Sequence, residues 1–239
     1  MDEETSFSCG MPASSALSES RASAQSLLMV GVVHLDPQGF GKALHFFVQH
    51  QPDLILVELS PFGCRFRKKR GRKLKRALQK NLKKAARSVG IPLRRARCQP
   101  AISNIFRQLA LPFEYRAALR YARRSGAQVM LVDASHFSQY WIGFWPELIA
   151  VTNLQKLLAA PIPSWSPASQ YQLARKSLRM PPAFSPSQGP RGLSTDDELW
   201  AQREYCLADQ ICNTLNRRRP RRPVYIGGWQ HLTVSTSTP

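Results

Sequence analysis

Four short apolar runs, each stopping at a residue able to carry chemistry, constrain this chain more than any other feature. They are LLMVGVV at 27–33, LILV at 54–57, VMLV at 129–132 and VYI at 224–226. None of them alternates polar with apolar residues. Continuous apolar runs of this length fit strands buried on both faces, as in a parallel sheet covered by helices. Between the runs the apolar residues recur at helical spacing. Residues 41–50 place Ala43, Leu44, Phe47 and Val48 on one side, and residues 72–88 align Leu74, Leu78, Leu82 and Ala85 in one stripe. Residues 112–125 are entered through Pro112 and closed at Gly126, and residues 196–216 open on Asp196, Asp197 and Glu198, which complement a helix dipole. Strand alternating with helix predicts an α/β fold, with a mostly parallel central sheet and flanking helices in a single domain over residues 26–239.

In a parallel sheet all C-terminal strand ends lie on one edge, and open α/β folds build their sites there. The first run leads into Gly31-Val32-Val33-His34, the second into Glu58, the third into Asp133 and the fourth into Gly228-Trp229-Gln230-His231. Two imidazoles and two carboxylates are therefore expected at one rim. A glycine near a strand end permits a close backbone approach that a side chain would block. Imidazole serves as a metal ligand or as a general base near neutral pH. His34, Glu58 and His231 together make a common ligand set for a divalent metal, with positions left open for water. A single His after a strand is more often a hydrogen-bonded structural residue; it is the repeated Gly-x-x-His setting that favours function. Asp133 also reads as a cap for the helix that follows it.

The rest of the chain adds organisation. Residues 1–25 are acidic at first, then rich in Ser and Ala, with no continuous apolar core, and read as a flexible leader rather than a secretory signal. Residues 161–193 are rich in Pro and Ser and read as an irregular insertion or lid, with a short helix at 170–178. No apolar run approaches the length that spans a bilayer. Five cysteines with no CxxC pair argue against a disulfide framework or a cysteine zinc site, and fit a reducing, cytoplasmic setting.

The net charge of +19 is local: residues 65–97 hold sixteen Lys and Arg and no acid, leaving +3 for all other residues. This segment has several readings. It is a solvated amphipathic helix packed on the sheet, a phosphate-tracking surface for nucleic acid, a membrane-surface patch, or an anionic partner's docking site that collects an acidic substrate. Against single-strand binding, no aromatic residue follows Phe66 within it to stack on bases.

The paired Gly-x-x-His motifs, with a Glu after the second strand, resemble the TraB/GumN/TIKI superfamily. The stretch QPDLILVEL at 51–59 is similar to that family's second-strand segment, FEYRAA at 113–118 to its helix with a single acidic residue, and QREYCLA at 202–208 to the start of its last long helix. The resemblance implies an α/β fold and a metal-dependent hydrolase of peptidase-like type, with Mn, Co or Zn as the metal and a peptide or small molecule as substrate. It implies His34, Glu58 and His231 as metal ligands, Glu58 or Glu114 as general base, and Arg203 as stabiliser of developing negative charge. Relatives in the wider fold include erythromycin esterase-like enzymes and ChaN-like haem-binding proteins. The resemblance therefore also allows a non-catalytic ligand- or haem-binding role, and the basic segment allows a nucleic-acid-associated one.

Overall fold

The computed structural model describes residues 26–161, 166–179 and 194–232. Residues 1–25, with the expected leader and Cys9, lie outside them, as do residues 162–165 and 180–193 of the expected insertion. The strands are β1 (Leu28–Val32), β2 (Leu54–Val57), β3 (Gln128–Leu131) and β4 (Pro223–Gly228). They form one parallel sheet in the order β1-β4-β2-β3. The last strand in sequence is thus inserted between the first two, and its end lies beside both of theirs. The fold is α/β, as the apolar runs imply.

Full burial on both faces holds only for the two inner strands. Every residue of β2 and β4 is buried, whereas Leu28 and Met29 on β1 are 40% and 45% exposed because β1 is an edge strand. Within the inner strands the side chains alternate between two cores. Ile55, Val57, Val224 and Ile226 face α1 (Gly39–His50) and α5 (Phe113–Ser125), meeting Phe47, Ala117 and Tyr121. Leu54, Leu56 and Tyr225 face the long helix α10 (Ser194–Arg218) through Leu207 and Ile211.

A third core lies away from the sheet. The helix α2 spans Pro61–Ser88, 28 residues, so it begins well before the expected start at Arg72. Its start is specified locally: the Ser60 side chain accepts from the Gly63 N–H at 2.8 Å, and Pro61 stands at the first helical position. The stripe of Leu78, Leu82 and Ala85 is buried and Leu74 packs against it, as the spacing predicts. It does not pack on the sheet, however. It packs on α3 (Leu93–Cys98), α4 (Pro100–Gln108), α6 (Ser135–Gly143), α7 (Trp145–Leu148) and α8 (Val151–Ala159), through Ile102, Leu109, Ile142, Trp145 and Leu154. These five helices are short, and their apolar spacing covers too few turns to stand out in the sequence. The expected insertion is also more regular than its composition suggests. It holds a 13-residue helix, α9 (Pro167–Arg179), whose Tyr171 and Ala174 pack on Val33 and Trp229 beside the sheet edge.

The cations of α2 point away from this helical core: Lys73, Arg76, Lys80, Lys83 and Lys84 are exposed, and Lys75 is half-buried. Lys80 lies thirteen residues beyond Arg67, about 20 Å along the helix. Replacing Leu82 with Ala should destabilise the protein by about 2–5 kcal/mol, because it empties a site with no exposure. Replacing Lys80, Lys83 and Lys84 together with Gln should leave the melting temperature unchanged or slightly higher at low salt, as like-charge repulsion is relieved. Thermal unfolding of both variants checks this; an unfolded triple variant would contradict the observed orientation of α2.

Candidate functional site

Strand polarity brings the expected residues to one edge. Glu58 follows β2 directly, and its backbone N–H still bonds to the Ile226 carbonyl of β4 at 3.0 Å. Asp133 and His34 stand two residues beyond β3 and β1, and His231 lies in a 3-10 turn, Trp229–Leu232, that continues β4. Two helices complete the set: α5 supplies Glu114 in its first turn and α10 supplies Arg203.

Glu58 is the hub. Its Oε1 accepts from Arg203 Nη2 at 2.6 Å and lies 2.8 Å from His231 Nε2; its Oε2 accepts from the Gly228 N–H at 2.6 Å and lies 3.6 Å from His34 Nε2. Arg203 is held a second time by Asp133, through Nε at 3.1 Å and Nη2 at 3.0 Å, in a bidentate fork. Asp133 also accepts from the Ala134 N–H at 2.9 Å, but the cap expected of it is not made: Ala134 is the N-cap of α6 and no side chain bonds the first N–H groups of that helix. His34 Nδ1 lies 2.8 Å from Glu114 Oε1, and His231 Nδ1 lies 2.5 Å from Glu204 Oε1. Each imidazole therefore stands between two carboxylates.

The glycines of the two motifs, and Gly227 just before the second, are required by space. A Cβ on Gly228 would lie 2.7 Å from His34 Nε2, and one on Gly227 would lie 2.6 Å from Glu58 Oε2. One on Gly31 would lie 2.9 Å from the Trp229 Cα. The backbone next to His34 is strained: Leu35 has φ 69, in the left-handed region that a leucine avoids, and its carbonyl accepts from Arg107 Nη1 at 3.1 Å.

The electrostatics follow from this pairing. For His34, loss of water on the side facing the network opposes the charge, but the hydrogen bond to Glu114 and the nearby charge of Glu58 outweigh it and push the pKa up to about 10, although the other side of the ring stays open to the cavity. His231 behaves alike: burial is outweighed by Glu204 and Glu58, and the pKa rises to about 9. Burial of Glu58 would raise its pKa, yet His231, His34 and their charges hold it well below the ordinary range. Arg203 is buried too, and Asp133 and Glu58 hold its pKa above the usual value. At neutral pH the site holds two imidazoliums and one guanidinium among four carboxyl side chains. In the imidazolium form both ring N–H groups of His231 and the Nδ1–H of His34 donate to carboxylates, while His34 Nε2 stands beyond hydrogen-bond distance of Glu58.

These residues form the floor of a cavity of about 850 Å³, within the usual size range of small-molecule sites. His34 is the exposed imidazole, 46% accessible, while His231 is 4% accessible and stacked under Trp200 with ring centroids 5.1 Å apart. Three participants were not singled out from sequence. Glu204 and Trp200 lie four residues apart on one face of α10, a helical pairing that was legible but had no partner until His231 was placed. Tyr225 is fully buried beside Glu58 and Gly227, and its hydroxyl has no hydrogen-bond partner among the described residues.

Among the described residues no group of three or more His, Cys, Asp and Glu side chains is arranged to hold a metal ion. The donor set accounts for this: both nitrogens of His231 face carboxylates, and Arg203 occupies Glu58 Oε1. A metal shared by His34, Glu58 and His231 requires both imidazoles to give up their Nε2 protons, which the surrounding carboxylates oppose. Comparison of the chain with protein-family models, with curated proteins and with solved structures gave no match.

Glu58→Gln should destabilise the protein by roughly 3 kcal/mol or more, because it leaves two buried cations without their shared carboxylate. The pH dependence has two limbs. Glu58 is depressed, so its contribution is present above about pH 4.5 and lost as pH falls below it. His34 and His231 are raised, so theirs is full below about 6.5 and lost as pH climbs through 9 to 10. Thermal melts should therefore plateau between about pH 4.5 and 6.5, and His231→Gln should flatten the alkaline limb.

Proposed function

We propose that this chain is a hydrolase of the TraB/GumN/TIKI type, working at the C-terminal edge of the sheet on a small molecule or peptide. The observation that carries the reading is His34: a half-exposed imidazole at a cavity floor, its Nδ1 fixed by a carboxylate buried to 3% exposure. A carboxylate behind Nδ1 fixes the ring and stabilises its charged form, an arrangement suited to proton transfer in acyl-transfer chemistry. Because His34 keeps its proton to about pH 10, it acts as the acid, donating from Nε2 to a developing oxyanion or leaving group. Glu114 lines the cavity and spends Oε1 on His34, so it is the better base of the two glutamates. Glu58 has both oxygens engaged and serves as the organiser. Arg203, also on the cavity wall, adds positive potential where negative charge develops.

A metal-dependent form of this reading, with Mn, Co or Zn, fits the resting donor set poorly for the reason given above. Metal analysis of purified protein decides it: a stoichiometric ion would require both imidazoles to lose their Nε2 protons. The aromatic walls, including Phe113, Phe137 and Trp141, favour a second reading as a ligand- or haem-binding protein. The exposed cations of α2 favour a third, attachment to nucleic acid, for which salt-sensitive retention of DNA or RNA is the test. No helix among the described residues is long and apolar enough to cross a membrane. Four free cysteines among those residues accord with a reducing, cytoplasmic setting.

A panel of p-nitrophenyl esters and fluorogenic peptides tests the hydrolase directly. Turnover should fall by about 10²–10⁴ in His34→Gln and drop strongly in Glu114→Gln, with folding retained. Turnover unchanged in folded His34→Gln would refute the role of His34. A Soret shift on haem addition, without turnover, would favour the binder.

A further inference from the structure

The cavity has a second charged pole, and nothing in the network at its floor uses it. Arg67, Arg107 and Arg116 all line it. Among the described residues none of the three has a carboxylate within ion-pair distance. Arg67 is the telling one. It sits half-buried in the second turn of α2, where Nε and Nη1 donate only to the neutral carbonyls of Gln108 and Gly63, each at 3.2 Å, and the guanidinium lies 5.0 Å from the Trp145 ring centroid. Burial lowers its pKa from the usual arginine value; Asp133 and Glu114 act on it only at longer range. Arg203 in the same cavity is the contrast, with two carboxylates around it. A cation taken partly out of water without a counter-ion is costly, and an anion delivered to it regains that cost through charge-assisted hydrogen bonds. Arg107 and Arg116 are exposed and add positive potential around it, Arg116 over the Phe40 ring at 5.2 Å. Apolar surface from Phe40, Leu111 and Trp145 also lines the cavity.

We propose that the cavity binds an amphiphilic anion, its apolar body against Phe40, Leu111 and Trp145 and its carboxylate or phosphate held by Arg67 with Arg107 and Arg116. Combined with the hydrolase reading, this makes the substrate an acidic amphiphile whose scissile bond lies toward His34. The binding claim stands apart from the chemistry. It also relocates the acid-collecting role from the far cations of α2 to the one in its second turn.

Tryptophan fluorescence titration of the whole chain with octanoate, octyl phosphate, octanol and octyltrimethylammonium tests it, since Trp141, Trp145 and Trp200 line the cavity. At least one anion should bind roughly tenfold or more tighter than octanol, and the cation should bind most weakly. Octanoate against octyl phosphate tells which acid group fits. Arg67→Gln should erase the preference for the anion, and Arg67→Lys should restore part of it. If Arg67→Gln fails to fold, the double variant R107Q/R116Q and the salt dependence of wild-type binding carry the test; both should weaken anion binding and spare octanol. Octanol binding as tightly as both anions would overturn the proposal, as would a folded Arg67→Gln with undiminished preference. Anion preference with no turnover of any ester or peptide would refute the hydrolase reading alone.

Discussion

A single buried carboxylate organises this molecule. Glu58 is the residue at which β2, the inner strand flanked by β4 and β3, runs out of sheet, and it is a charged group with almost no access to water. Burying it alone would be prohibitive; it is tolerable because Arg203, His231 and the Gly228 N–H bring their donors to it. Each of those donors imposes a demand of its own. Arg203 draws in Asp133, His231 draws in Glu204, and the Gly228 N–H can approach only because positions 227 and 228 lack side chains. The network ties α10, β3 and β4 to one carboxylate, and a change at any member is felt through Glu58.

The helical layer is coupled to the same point. Two residues after Glu58, Ser60 caps α2, and the helix carries Arg67 to the cavity wall before reaching the third core. The cavity is thus built between a sheet edge that supplies the ionised network and a helical lobe that supplies aromatic surface and unmatched arginines. Its two poles differ in chemistry: charges at the floor are compensated, and those of Arg67, Arg107 and Arg116 are not. Compensated charge positions groups for proton transfer, whereas uncompensated charge attracts a ligand.

Much of the sheet was legible because inner strands and helical stripes leave strong patterns. LILV and VYI read as buried on both faces and are, whereas the outward residues of β1 broke the rule because edge strands escape cover. Reading each strand to its end located Glu58, Asp133, His34 and His231 together, since parallel polarity is a strong constraint. Glu114 and Arg203 came only through the family resemblance, because a residue on a helix gives no hint of which strand end it will meet. Glu204 and Trp200 were missed for the same reason, whereas Tyr225 was read only as one more apolar residue of the fourth strand. The short helices α3, α4 and α6 to α8 offered too few turns for periodicity, and the early start of α2 was hidden by the glycines at 63 and 71, although Ser60 and Pro61 announced it.

Direct observation of the imidazole protons tests the central claim, that Glu58 gathers a network in which both histidines remain charged. Nitrogen-detected NMR of the histidine rings across pH is that measurement. The account predicts that His34 and His231 are doubly protonated at pH 7.5 and lose their protons near 10 and 9 respectively. Rings that are neutral at pH 7.5, titrating near the ordinary value of 6.5, would contradict it.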